Sequence, residues 1–281
     1  MHWLEAVRRL RHDRCPGVLV TLASVRGHAP RSAGAKMVVS ADGTWGSIGG
    51  GNLEATSVAR ARVMLAGGAT APEQLTVSLT ERARAEHGRQ CCGGEVDVLL
   101  EPLAVVPSVA VFGLGHVGLE LARILARHDL ELHLVDSREE ELDPARLAVL
   151  DDAVAQVHVH HAVLPELVLG EVPSGTHVLV MTHDHAEDAA LCDAALRCGH
   201  LGTIGLIGSS AKAGRFRRVL ATDGHAPASV ARIRSPIGGA ALTGKDPATI
   251  AVAAAAELLA LVEAERAAAG ASDARRGPAT R

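Results

Sequence analysis

The run Gly113-Leu114-Gly115-His116-Val117-Gly118 constrains the fold more than any other stretch of this 281-residue chain. It follows an apolar segment at 109–112 and opens a helical pattern, and Asp136 closes the next apolar segment 18 residues after Gly118. Each part has a physical reason in a strand–turn–helix setting. The glycines permit a tight turn and close approach of a pyrophosphate, the helix N-terminus attracts anions, and the acid can take ribose hydroxyls. Further short apolar segments at 132–135, 157–159, 177–181 and 203–207 alternate with helical stretches such as 187–197 and 212–220. That alternation predicts an α/β chain whose 108–265 portion is a Rossmann-like, doubly wound parallel sheet. Two readings of the turn remain: an NAD(P) site, or a turn kept for packing with no bound dinucleotide.

The residues before the fingerprint read as a smaller α/β domain, 1–105. Trp3, Leu4, Val7 and Leu10 recur at helical spacing ahead of an apolar strand at 17–25. Strands at 36–40 and 44–48 flank Asp42-Gly43, a two-residue hairpin signal. The second strand runs into Gly46-Ser47-Ile48-Gly49-Gly50-Gly51-Asn52, with Asn52 expected as the N-cap of a helix to about residue 66. Val96, Val98 and Leu100 alternate as a last strand, and Pro102 and Pro107 bracket the boundary. Asp246-Pro247 starts an Ala-rich helix to about 265, and 266–281 reads as a flexible tail.

Four segments carry residues suited to chemistry. Gly49, Gly50 and Gly51 expose backbone N–H groups at a helix start, an anion cradle or simply a tight connection. Gln90-Cys91-Cys92-Gly93-Gly94 places two thiols on a glycine loop, with Arg89 able to favour a thiolate. The alternatives there are a metal or sulfur contact and two buried small apolar residues. Thr182-His183-Asp184-His185 falls at the C-terminal end of a strand, where open α/β sheets place ligands, so His183 and His185 face either a metal or a hydrogen-bonded loop. Gly208-Ser209 repeats the strand-to-helix turn with Lys212 and Arg215 nearby, a phosphate or carboxylate site or a plain capped turn. His158, His160 and His161 read as strand or surface histidines without a role.

Composition excludes several classes. Two Phe, two Trp and no Tyr leave no stacking platform for single-stranded nucleic acid, and a net charge of −4 argues against general nucleic-acid binding. No uninterrupted apolar run of about 18 residues suggests a membrane span, and the first residues do not open a signal peptide. Five cysteines without framework spacing read as reduced thiols in a cytoplasm. No G-x-S-x-G elbow, Walker lysine loop or H-E-x-x-H is present, and no proton-transfer residue for a dehydrogenase stands out.

Taken in order, these residues resemble the XdhC/CoxI family, accessory proteins of molybdenum hydroxylases, over about residues 1–263. The likeness rests on Gly34-Ala35-Lys36-Met37, on Gly46-Ser47-Ile48-Gly49-Gly50-Gly51 with Glu54, and on Gln90-Cys91-Cys92-Gly93-Gly94. It continues through Val111 to Gly118, Met181-Thr182-His183-Asp184-His185, Gly205-Leu206-Ile207-Gly208-Ser209, Ser235-Pro236-Ile237-Gly238 and Gly244-Lys245-Asp246-Pro247. The resemblance implies a protein that is not itself an enzyme. It implies binding of the molybdenum cofactor while a cysteine desulfurase installs a terminal sulfido ligand, then delivery to an apo molybdenum hydroxylase such as xanthine dehydrogenase. By the same resemblance Cys92 is the thiol nearest molybdenum and its metal ligand, with Cys91 second. Shielding a labile ligand would suit a homodimer. The family's second domain often carries a Gly-Ser-Arg turn, and here Ser209-Ser210 lacks that arginine. The alternatives are an NAD(P)-dependent oxidoreductase and a nucleotide-sensing Rossmann protein.

Overall fold

The computed structural model describes residues 1–79, 93–238 and 244–274. The chain divides into two compact units, Met1–Val105 and Val106–Val262, with residues from Glu263 onward grouped with the first.

The first unit runs α1 (Trp3–His12), β1 (Gly17–Arg26), β2 (Lys36–Val39), β3 (Thr44–Gly46), α2 (Gly51–Gly67), β4 (Glu73–Ser78) and β5 (Glu95–Leu103). Its sheet has the order β3-β2-β1-β5-β4, with every neighbour antiparallel. Alternation along the strands separates two faces. Val18, Val20, Leu22, Met37, Val96, Val98 and Leu100 bury against Leu53, Ala61 and Met64 of α2. On the other face Val38 packs with Ala6 and Leu10 of α1, and Trp3 and Trp45 lean on this small cluster.

Three details of this unit differ from the sequence reading. The helix begins at Gly51 with Gly50 as N-cap, so Asn52 lies inside it. The hairpin closes through Ser40, whose N–H donates to the Gly43 carbonyl at 2.9 Å and whose hydroxyl accepts the Gly43 N–H at 3.0 Å. The tight turn therefore centres on Ala41-Asp42. Edge strand β4 was not anticipated, because its Gln, Thr and Ser side chains dilute the apolar signal.

The second unit runs β6 (Ser108–Phe112), α3 (His116–Leu125), β7 (Glu131–Asp136), α4 (Pro144–Leu147), β8 (Gln156–His161), β9 (His177–Val180), α5 (His185–Arg197) and β10 (Ile204–Leu206). It continues with α6 (Ser210–Thr222), α7 (Pro227–Val230), β11 (Ile233–Arg234) and the part of α8 (Pro247–Ala274) up to Val262. The six strands are parallel in the order β11-β10-β9-β6-β7-β8. Read from β8, the strands come third, second, first, fourth, fifth and sixth in the unit, the order of a dinucleotide-type doubly wound sheet. Both faces are covered, which accounts for nearly continuous apolar strands. Val109, Val111, Leu132 and Leu134 pack with Leu121, Leu125, Ala254 and Leu258 from α3 and α8. Ala110, Phe112, Val178 and Val180 pack with Leu191, Ala195, Phe216 and Leu220 from α5 and α6.

Two expectations about the C-terminal part change. Helix α8 extends through Ala274, past the end expected near 265, because alanine favours helix continuation more than any other residue. Within it Pro247–Ala268 is long and apolar enough, by length and composition alone, to cross a membrane, at mean hydropathy 1.6. Its alanines and its six Ile, Val and Leu residues together produce that value. The helix nevertheless contributes Ala251, Ala254, Ala255 and Leu258 to the core. Glu257, in its middle, accepts hydrogen bonds from Arg234 Nε and Gly238 N, each at 2.7 Å. Residues 275–281 of the expected tail lie outside the described residues.

Candidate functional site

Parallel strands end together, so the turns after β6, β9 and β10 form one edge of the Rossmann unit. Strand order reverses between β6 and β9, and there the two turns touch. Gly113 adopts a φ of +101°, and a Cβ on it would lie 2.5 Å from the Met181 carbonyl oxygen. A Cβ on Gly118 would overlap the Gly113 carbonyl oxygen, so α3 packs directly on the turn. Gly115 is the N-cap of α3, and no side chain caps that end. The first N–H groups of α3, beside exposed His116, are the part of the fingerprint arranged to accept an anion.

Asp136 is not held ready for a ribose. It is 2% exposed. Its Oδ2 accepts Leu114 N at 2.6 Å and Arg138 Nη2 at 3.0 Å, while Oδ1 accepts Arg138 N and Nε, each at 3.0 Å. A carboxylate offers about four acceptor positions, so a ribose hydroxyl would have to displace part of this set. Burial works to raise the Asp136 carboxyl, but the bonds from Arg138 and the backbone N–H groups of Leu114 and Arg138 outweigh it and hold the pKa below the usual range. Arg146 completes the clamp, with Nη2 donating to the Leu114 carbonyl at 2.7 Å. Arg138 and Arg146 both pair with Glu141. This triad escaped the sequence reading. Its only signal was an arginine two positions past the strand-end acid.

The second pair of turns is also neutralised from within. Asp188 is fully buried; Oδ1 accepts Thr182 N at 3.0 Å and Thr182 Oγ1 at 2.8 Å, and Oδ2 pairs with Lys212 Nζ at 2.5 Å. Lys212, expected as a nearby cation for a phosphate, is thus committed to Asp188, and Arg215 stays exposed. Ser209 caps α6 by accepting Lys212 N at 3.2 Å, and the side chain of Lys212 packs over Gly208. His183 is exposed; His185, 70% exposed, has Nδ1 3.9 Å from Asp188 Oδ2. Among the described residues the structure does not join these two histidines in a metal-ligand group.

In the first unit the glycine cradle exists, and the protein fills it. Glu54 Oε1 accepts Ile48 N at 3.0 Å, Gly49 N at 3.1 Å and Ser47 Oγ at 2.5 Å. Burial alone would raise its pKa, but the Ser47 hydroxyl and the N–H groups of Gly50, Gly49 and Ile48 hold it below the usual value. A phosphate at Gly49–Gly51 would have to displace this carboxylate. Glu54→Ala should therefore cost about 2 kcal/mol and Glu54→Gln about 1 kcal/mol, in urea melts at pH 7. Because the folded pKa is depressed, this stabilisation is complete above the unfolded value of about 4.3 and is lost as pH falls through the folded one.

Cys91 and Cys92 lie outside the described residues, but the entry to their segment is defined. Leu79 and Gly93–Gly94 extend the β4–β5 ladder, with Leu79 N donating to Gly94 O at 2.7 Å and Gly93 N to Leu79 O at 3.1 Å. Gly94 lies so close to the backbone that a Cβ would overlap the His28 carbonyl oxygen. A Cβ on Gly49 would overlap Pro30 of the same loop. One loop thus touches both glycine motifs. Residues between Val25 and Ala33, including exposed His28, Arg31 and Ser32, line a depression of about 380 Å³ there.

Of the other thiols, Cys15 is exposed and Cys192 buried. Burial pushes the Cys192 thiol up to about 12, with the Asp188 carboxylate adding to the shift and Lys212 opposing it. Alkylation of the native protein at pH 8, read by peptide mass, should label Cys15 and spare Cys192 until the protein is unfolded.

Fold and turns together define a Rossmann-type unit with a separate α/β unit ahead of it in the chain. Two family models match: the XdhC Rossmann domain over residues 109–258 and the XdhC and CoxI family over residues 10–78. The chain belongs to the XdhC and CoxI family. It is 26% identical over 270 residues to the uncharacterized protein YqeB of Escherichia coli K12, covering 92% of this chain and 46% of YqeB. The chain thus spans about half the length of that relative. A crystal structure of a xanthine dehydrogenase from Bacillus halodurans is 19% identical, with 94% of this chain and 96% of that one covered and a TM-score of 0.46.

Proposed function

We propose that this chain is a non-catalytic accessory factor of a molybdenum hydroxylase such as xanthine dehydrogenase. It holds the molybdenum cofactor while a cysteine desulfurase installs the terminal sulfido ligand, then passes it to the apo-enzyme in the cytoplasm. Family membership supports the maturation role. The observation that carries the cofactor reading is the loop joining the two glycine motifs, because it sets the His28 carbonyl against Gly94, next to the thiol-bearing segment, and Arg31 beside Gly49. When bound, the cofactor supplies a thiophilic metal and an anionic phosphate.

The residues present fit such a group in chemical type. Arg31 and His28 offer donors for the phosphate, and Cys92, with Cys91 second, offers a thiolate of the kind that soft metal centres take. The filled Glu54 cradle moves the phosphate away from Gly49–Gly51 and toward the basic loop. In the Rossmann unit, Asp136, Asp188 and Lys212 are all engaged in internal pairs, which supports binding over proton-transfer chemistry.

Reconstitution tests the role. Anaerobically prepared wild-type protein mixed with apo-hydroxylase, free cofactor, desulfurase, cysteine as sulfur donor and a thiol reductant should restore hydroxylase activity, and Cys92→Ala should lose most of that gain. Full activation by Cys92→Ala would remove the thiol from the account.

A further inference from the structure

We infer that Glu131, His133 and His158 form a divalent transition-metal site on the outer strands of the Rossmann sheet, of the kind zinc occupies. Parallel pairing of β7 and β8 sets His133 opposite His158 and Val135 opposite His160. Alternation then puts Glu131, His133, His158 and His160 on one face. One ligand atom from each of Glu131, His133 and His158 lies within 4.8 Å of the others. Glu131 Oε1 is 3.6 Å from His133 Nε2 and 3.2 Å from His158 Nε2. A tetrahedral centre with bonds of about 2.0–2.1 Å separates its ligands by roughly 3.3 Å, so these two spacings are already close to those of a bound ion.

The surroundings suit the same role. His133 and Glu131 side chains are 8% and 15% exposed, so packing positions two of the ligands. The His158 side chain is 33% exposed, but its Nε2 is buried beside the Glu131 carboxylate. On its other side His133 Nδ1 lies 3.1 Å from His160 Nε2, the outer contact that orients a ligating imidazole. His133 Nε2 faces the Glu131 carboxylate on the opposite side of the ring. The His133 and His158 rings stack 4.7 Å apart at 14°, so uptake requires them to tilt toward each other. Two imidazoles and one carboxylate favour zinc over calcium or magnesium, which prefer oxygen ligands. Glu131 opens β7 and Asp136 closes it, which puts the cluster toward the strand end away from the glycine turns.

Zn²⁺ titrated into the chelator-stripped, tag-free full chain tests the site, with Co²⁺ as a spectroscopic substitute. The expected result is stoichiometric uptake, with the visible absorption of tetrahedral Co²⁺ and no thiolate charge-transfer band. His158→Gln, at a partly exposed position, should weaken affinity by about tenfold or more while circular dichroism shows the fold intact. His133→Asn should do the same, and Cys91→Ser with Cys92→Ser should change nothing. Failure of the wild-type chain to take up either ion overturns the inference. So does unaltered affinity in the two histidine variants, or loss of uptake in the cysteine pair.

Discussion

Gly118→Ala is expected to destabilise the Rossmann unit by about 3 kcal/mol or more, the upper part of the range for overpacking. The new methyl would meet the Gly113 carbonyl oxygen, which is backbone and has no rotamer to change. Nor can the turn retreat. Gly113 N donates to Val135 O at 2.8 Å, and Gly113 already lies against the Met181 carbonyl. Leu114 is held from both sides, its N–H by Asp136 and its carbonyl by Arg146. The control sits three residues earlier. Gly115 has open space at its Cβ position and a negative φ of −61°, so Gly115→Ala should cost no more than about 1 kcal/mol. Urea melts of the two variants decide the matter. Equal destabilisation would mean that the turn is softer than its contacts imply.

Asp136→Ala should cost about 3–5 kcal/mol, the range for breaking a buried ion pair. It removes four hydrogen bonds and leaves Leu114 N, in a fully buried residue, without its acceptor. Arg138 keeps Glu141, which limits the loss on the arginine side. The sign of the pH dependence follows from the depressed folded pKa of Asp136. Its contribution is complete above the unfolded value of about 3.9 and disappears as pH falls through the folded value. The variant should therefore show a smaller loss of stability below about pH 4 than the wild type, in melts across that range. An acid limb of unchanged steepness would show that other carboxylates dominate there.

The Rossmann unit was readable because its signals are local and repeated: apolar strands, a glycine turn after the first, an acid after the second. The family likeness was readable for the same reason, through motifs in a fixed order. What escaped depends on which groups partner across the fold. Asp136 matched a ribose-binding template, yet Arg138, two residues on, claims the carboxylate. The Gly49–Gly51 turn looked like a cradle for an outside anion, and Glu54 in the first turn of α2 fills it. A glutamate just inside a helix is a known way to satisfy N-terminal donors, so that signal was present. Strand β11 is only two residues long and gains its place by pairing with β10. His133 and His158 are 25 positions apart, and only strand register sets them side by side.

Cofactor content is the most direct test of the central claim. The chain would be purified without oxygen from a host that makes molybdopterin, then assayed for molybdenum and for fluorescence of the oxidised pterin. Near-stoichiometric molybdenum and pterin in the wild type, both lost in Cys92→Ala, is the expected result. Absence of both from the wild type, even after incubation with free cofactor, would contradict the carrier role and leave a nucleotide-binding function for the Rossmann unit to be sought instead.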